Sequence, residues 1–215
     1  MLLALAAPLP AADMLYVTLT DNTIVSYDTS SGNAVTIAAS MATFASTNLN
    51  SPQGLAFDSS GNLYAANFNS TISKFDSSGT YVSSGSIPST NLNLPVGLAF
   101  DISGNLYAAN TGDNTISKFN SADGYLSSIS GNLDVPYGLA SDSSGNLYAA
   151  NFGNNSISKF NSSGVFLTSW STGSAKPQFL AFKPVTVPEP STYALSAIAT
   201  GVMAAIARRR KARTA

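Results

Sequence analysis

A sixteen-residue segment is written three times in this chain, and that repetition limits the possible folds more than any other feature. Pro52-Gln-Gly-Leu-Ala-Phe-Asp-Ser-Ser-Gly-Asn-Leu-Tyr-Ala-Ala-Asn67 returns, nearly unchanged, as Pro95 to Asn110 and as Pro136 to Asn151. A shortened copy, Pro177-Gln-Phe-Leu-Ala-Phe182, begins a fourth. The four prolines are spaced 43, 41 and 41 residues apart. A period of this size means one supersecondary unit per repeat. No unit can bury its apolar face alone, so each must stack on its neighbours.

Each repeat reads as four short strands. In the first full copy these are Gly54–Phe57, Leu63–Ala66, Thr71–Phe75 and Thr80–Ser83. Asp58-Ser-Ser-Gly-Asn62 supplies a hairpin turn, because Asp and Ser bond nearby backbone and Gly accepts positive φ. The first strand is almost wholly apolar, the third alternates, and the fourth is rich in Ser. No helical period runs through residues 14–185. An antiparallel unit of four strands, dry at one edge and wet at the other, is a propeller blade. The expected fold is therefore all-β: a β-propeller of four-stranded antiparallel blades. Period-two alternation directs Leu55 and Phe57 to one neighbouring blade, while Gly54 and Ala56 leave room for the other. Tyr64, Tyr107 and Tyr148 recur at one position and are expected in interblade packing, with hydroxyls that need partners.

The ends look complementary. Leu15–Leu19, Thr23–Asp28 and Ala34–Ile37 match strands two, three and four of a blade that lacks strand one. Phe179–Phe182 is a strand one with nothing after it. Pairing them closes a ring of four blades and removes two open sheet edges. The alternative is a fragment of a larger ring. Residues 1–12 read as the remnant of a secretory signal peptide, an apolar run with small residues before a cleavage point. No Lys or Arg precedes that run, so the true start is expected upstream.

Composition narrows the chemistry. Charged residues are only 10% of the chain, and neither Cys nor His is present, so thiolate and imidazole chemistry are excluded. Glu189 is the single glutamate and lies outside the repeats. Five of the ten basic residues fall in the last eight positions, leaving five lysines against eleven acids elsewhere. Phosphate-backbone binding needs a basic patch, so no nucleic-acid partner is expected. The loops at Asp58–Asn62, Asp101–Asn105 and Asp142–Asn146 are too short and too poor in acids for calcium, and no metal or cofactor is expected. Asn67, Asn110 and Asn151 should gather at one end of the ring, where they either cap turns or form a polar ligand site. Trp170 lies in the last outer strand and either packs or stacks on a sugar ring.

The repeated pattern, with Asn-x-x-Ile-Ser-Lys-Phe in its second half, resembles NHL repeats over residues 14–184. The resemblance implies a β-propeller, usually of six blades. Members of that family include zinc-dependent lyases, RNA partners and secreted propellers; related propellers include metal-dependent lactonases. Two positions depart from the family. Asn67, Asn110 and Asn151 stand where Asp is usual, and Thr71, Thr115 and Ser156 where Arg is usual. The usual charge pair is thus expected to survive only as hydrogen bonds. The zinc-binding histidines of the lyases and the ligand glutamate of the lactonases have no counterpart in the repeats.

The C-terminal segment has three parts: Pro188-Glu189-Pro190, an uncharged run over 193–207, and Arg208, Arg209 and Arg210 followed by Lys211. It resembles a PEP-CTERM sorting signal over residues 187–213. The resemblance implies a Gram-negative source, export, processing by an exosortase near Pro188-Glu189-Pro190, and association with exopolysaccharide and biofilm. The run over 193–207 is expected to be a transmembrane helix with a cytoplasmic basic tail. Taken together, these features predict an exported, surface-associated propeller that binds or scaffolds without catalysis. A polysaccharide or a surface protein is the expected ligand. The rivals are a metal-dependent lactonase-like hydrolase or lyase and a purely structural spacer.

Overall fold

Fourteen strands in four antiparallel sheets make up the described part of the chain. The computed structural model describes residues 14–28, 42–82, 87 and 89–182. Sheet I joins β1 (Met14–Thr18), β2 (Ile24–Asp28) and β3 (Ala42–Ala45). Sheet II joins β4 (Pro52–Phe57), β5 (Leu63–Asn67) and β6 (Thr71–Phe75). Sheet III runs β7 (Pro95–Phe100), β8 (Leu106–Asn110), β9 (Thr115–Phe119) and β10 (Tyr125–Ser130). Sheet IV repeats it with β11 (Pro136–Ser141), β12 (Leu147–Asn151), β13 (Ser156–Phe160) and β14 (Phe166–Ser171).

The repeated Leu-Tyr-Ala-Ala-Asn strand explains how the sheets stack. It is the second strand of sheets II, III and IV, bonded on both edges and covered on both faces, and in sheets II and III all five residues are buried. Its alternation splits the core. Leu63 and Ala65 pack back toward sheet I with Ile24, Leu55 and Phe75. Tyr64 and Ala66 pack forward with Leu98, Leu106, Ala108 and Phe119 of sheet III. Tyr107 and Ala109 then pack forward with Leu139, Leu147, Ala149 and Phe160 of sheet IV. Side chains of the small Ala residues let the sheets approach, and each buried Leu or Phe contributes about 1.5–3 kcal/mol of apolar transfer. The outer strands of sheets III and IV are wet: five of six residues of β10 and all six of β14 are exposed, Phe166, Leu167 and Trp170 among them.

The inner-strand expectation holds. Phe57 meets Tyr16 edge-on at 4.9 Å, and Phe100 meets Tyr64 at 5.1 Å. Gly54, on the opposite side of the strand, lies so close to the next sheet that a Cβ would stand 2.3 Å from the Val96 carbonyl oxygen.

Three details differ from the sequence reading. The outer strand expected at Thr80–Ser83 is reduced to a bridge between Tyr81 and Phe75 among the described residues. The strand expected at Ala34–Ile37 lies outside the described residues, and the partner of β2 is instead β3. The third concerns closure. Pro177–Phe182 lies beside β11 like an inner strand, with Phe182 edge-on to Tyr148 at 4.9 Å and the Phe179 backbone against Gly138. It forms no strand, however, and the expected pairing with β1 is not made.

Two local causes account for that open seam. Phe179 occupies the position held by Gly54, Gly97 and Gly138 in the full repeats, where only a hydrogen fits against the neighbouring backbone. A recurring latch is also missing. Asn22 Oδ1 accepts the Ser51 N–H at 2.6 Å, Ser70 Oγ accepts that of Leu94 at 3.1 Å, and Asn114 Oδ1 accepts that of Val135 at 2.7 Å. Each donor precedes the proline that opens an inner strand. Asn155 is the fourth of the series, and its Oδ1 is buried without a partner.

Candidate functional site

The three asparagines that end β5, β8 and β12 are the most repeated polar feature of the fold. They are buried to 0–1% exposure. Asn67 Oδ1 accepts the Asn50 N–H at 3.1 Å, while its Nδ2 donates to Thr71 Oγ1 at 3.1 Å and Ser73 Oγ at 2.9 Å. Asn110 does the same with Asn93, Thr115 and Ser117 at 3.2, 3.0 and 3.0 Å. Asn151 does so with Asp134, Ser156 and Ser158 at 3.2, 3.0 and 2.9 Å. Both amide protons and the carbonyl oxygen are therefore committed. Each serine passes the contact on: Ser117 Oγ donates to Asn91 O at 2.5 Å, Ser158 Oγ to Asn132 O at 2.6 Å, and Ser73 Oγ to Asn48 O. The triplet clamps the loop entering each sheet, which is the turn-capping role. The expected hydrogen bond in place of a charge pair is present as the Asn-to-Thr or Asn-to-Ser bond.

A groove lies over this clamp in two sheets. In sheet II it measures about 550 Å³ and is lined by Asn48, Asn50, Asn69, Thr71, Ser73 and Tyr81 among others. In sheet III it measures about 280 Å³, and its walls include Asn91, Asn93, Asp113, Thr115, Ser117 and Tyr125. A separate cleft of about 340 Å³ on the inner side is lined by Gly54, Gly97, Gly138, Thr18 and Phe179. It presents mostly backbone and apolar side chains.

At the opposite end of the strands the recurrent tyrosines carry lysines. Lys74, Lys118 and Lys159 lie over the rings of Tyr64, Tyr107 and Tyr148 at 4.9, 5.0 and 5.1 Å. Lys74 and Tyr64 both reach Asp123 of sheet III, each at 3.0 Å. Asp123 sits at φ 65°, in the turn position that Gly79 and Gly164 hold elsewhere, so a backbone preference is traded for a cross-sheet ion pair. Lys118 reaches the Ser162 carbonyl of sheet IV at 3.1 Å. Sequence reading found the tyrosines and missed the lysines and Asp123. The recurring Ile-Ser-Lys-Phe and the Asp in a glycine position were the available signals.

Burial pushes the Tyr64 hydroxyl up to about 12, with the Asp123 carboxylate adding to it and Lys74 opposing. Burial also raises Tyr107, helped by Asp101. Burial opposes the charged form of Lys74, but hydrogen bonds to Tyr64 and Asp123 outweigh it and raise its pKa. All three groups hold their protons more tightly folded than unfolded. The stabilisation from Tyr64 is thus complete below pH 10 and lost as pH rises through about 12, and those from Tyr107 and Lys74 are likewise lost on the alkaline side. Urea titrations from pH 8 to 12 should show a flat midpoint to pH 10 and a steep fall above it. Tyr64→Phe should lessen the fall.

The chemistry of the turns is structural. Asp58 Oδ1 accepts the N–H groups of Ser60 and Asn62, each at 2.9 Å, and Oδ2 accepts Asn62 Nδ2 at 2.8 Å. Burial opposes ionisation there, but these bonds prevail and lower the carboxyl pKa. Among the described residues no group of three or more His, Cys, Asp or Glu is placed to hold a metal. Trp170 is half exposed and stacks on Tyr148 at 6.1 Å.

Stacked sheets of this kind define a β-propeller, and solved structures agree. The fold is similar to the nidogen in a nidogen–laminin complex, with a TM-score of 0.64 and 18% identity over 79% of this chain and 65% of that one. It is similar to virginiamycin B lyase from Staphylococcus aureus, with a TM-score of 0.57 and 15% identity over 80% and 61%. The computationally designed protein Ika8 gives a TM-score of 0.57 and 15% identity over 80% and 50%. The chain thus spans less than two thirds of the length of these structures. No curated protein matches its sequence.

The C-terminal segment has a more specific likeness. Residues 186–211 match the PEP-CTERM protein-sorting motif. That motif marks an exported protein, sorted by way of an exosortase and transiently anchored in a membrane. Pro188, Glu189, Pro190, Arg208, Arg209, Arg210 and the run over 193–207 lie outside the described residues. Among the described residues no helix is long and apolar enough to cross a membrane.

Proposed function

We propose that this chain is an NHL-type propeller displayed at the cell surface or released into the extracellular matrix, where it acts as a non-catalytic binding or scaffold protein for exopolysaccharide or biofilm. The sorting motif at 186–211 is the observation that carries the reading. An exosortase is the processing partner, cutting near Pro188-Glu189-Pro190, with the 193–207 run in the membrane and Arg208–Arg210 on the cytoplasmic side. The repeated polar, weakly charged surface suits a matrix component, since its contacts depend little on salt.

The lyase likeness favours no hydrolase or lyase reading. One solved form of that enzyme is a catalytically inactive histidine-to-alanine variant, and this chain has no histidine at all. The buried asparagines Asn67, Asn110 and Asn151, the hydroxyls they bond and the turn aspartates are spent on loop clamps and turns.

Replacing Arg208, Arg209 and Arg210 together by alanine tests the sorting assignment. In an exosortase-bearing host, surface or released protein should fall at least about tenfold, because three basic residues that anchor the cytoplasmic side are gone. An unchanged distribution between cell and medium, read by immunoblot, would count against it.

A further inference from the structure

We infer that the grooves of sheets II and III, built at matching positions of the repeat, are two sites for an uncharged polysaccharide. The inference rests on the binding-scaffold reading above and gives that reading a ligand class and a location.

The two grooves are built from matching positions of the repeat. Asn48, Asn50, Thr71, Ser73 and Tyr81 in the first correspond to Asn91, Asn93, Thr115, Ser117 and Tyr125 in the second, and Asn69 corresponds to Asp113. The hydroxyls of Thr71, Ser73, Thr115 and Ser117 form the floor and are engaged in the clamp, so the carboxamides of Asn48, Asn50 and Asn69 and of Asn91 and Asn93 are the wall groups that can donate to and accept from the hydroxyls of a sugar. Neither groove is lined by Lys or Arg. A phosphate, sulfate or uronate chain finds no counter-charge there, and Asp113 repels it.

Each groove also has one aromatic wall. Tyr125 meets Phe119 edge-on, with centroids 5.9 Å apart and planes at 68°, and remains 40% exposed. Tyr81 meets Phe75 in the same way, at 5.9 Å and 65°. The exposed ring of Tyr125, and to a lesser degree the half-buried ring of Tyr81, offers a platform beside the carboxamides for the C–H face of a pyranose. The corresponding position in sheet IV is Phe166, which has a ring but no hydroxyl. Two matched sites one repeat apart favour a polymer over a single sugar, because the second engagement is intramolecular.

The test is affinity electrophoresis of the full chain through gels containing dextran, galactomannan or xyloglucan, with alginate as the anionic comparison. At least one neutral polymer should retard the protein. Tyr81→Ala and Tyr125→Ala should each weaken retardation about three- to tenfold. The double variant should weaken it at least about 100-fold, as the linked engagement is lost. Tyr81→Phe with Tyr125→Phe keeps the rings, which Phe166 shows the blade accommodates, and should stay within about threefold of the parent. Should the alanine variants fail to fold, Asn69→Arg with Ser128→Arg blocks both grooves from exposed positions and should abolish retardation. The inference is overturned by retardation in alginate alone, by no retardation in any neutral polymer, or by folded double variants that migrate like the parent. Export and sorting are read separately by fractionation. A protein sorted normally that binds no neutral glycan sinks this inference and leaves the scaffold reading in place.

Discussion

Gly97→Ala should be among the most destabilising single substitutions in the propeller, lowering the melting temperature by roughly 6–12 °C. The added methyl would stand 2.0 Å from the Tyr137 carbonyl oxygen and 3.1 Å from the Gly138 Cα. Both contacts are to backbone of the next inner strand, so no side-chain rotation relieves them. Overpacking of this kind costs upwards of about 3 kcal/mol, against a typical domain stability of about 5–15 kcal/mol. Gly61→Ala provides the comparison. Gly61 adopts φ +82°, and nothing lies within 4 Å of the place a methyl would take, so only backbone strain of about 1 kcal/mol is expected. Thermal melts that rank the two alike would remove close sheet approach as the reason for the repeated inner-strand glycine.

Asn110→Ala should cost about 3 kcal/mol. It removes two donated bonds to Thr115 and Ser117 and leaves the Asn93 N–H without its acceptor. Net contributions near 1 kcal/mol per bond, plus the desolvation of an unpaired N–H, give that figure. Urea unfolding would report it as a lowered midpoint with an unchanged slope. Asn110→Asp sharpens the test. It preserves shape but buries a carboxylate at a site only 1% exposed and without a cation among its bonded partners. Its folded pKa is then raised, so the variant is destabilised at neutral pH and recovers as pH falls through that pKa. A variant equally stable at pH 7 and pH 4 would show that the site is wetter than its burial indicates.

Much of the fold was legible because the repeat supplies three readings of the same unit. Gly54 and Ala56 against Leu55 and Phe57 gave the two faces of the inner strand, and the structure places them so. The clamp was half legible. Three asparagines at one register pointed to a shared role, but a carboxamide that caps a loop and one that greets a ligand look alike in a sequence. The third strand of sheet I was not legible, since Ala42-Thr-Phe-Ala45 follows no repeat. The missing strand pairing at Pro177–Phe182 has a different reason. Phe179 reads as a good strand residue, and its fault appears only when the approach of neighbouring sheets is known. Asp123 was hidden in the same way: an acid in a turn is ordinary, and its value comes from Lys74 and Tyr64, distant in sequence and on another sheet.

The sorting motif predicts that the propeller is exported and handed to an exosortase. Intact-mass analysis of the protein recovered from the surface or medium of a bacterium, with and without its exosortase, tests it most directly. The expected result is a product that has lost Arg208–Arg213 when the enzyme is present, and retention of the full tail in the membrane when it is absent. Surface protein that keeps residues 208–213 in both strains would contradict it.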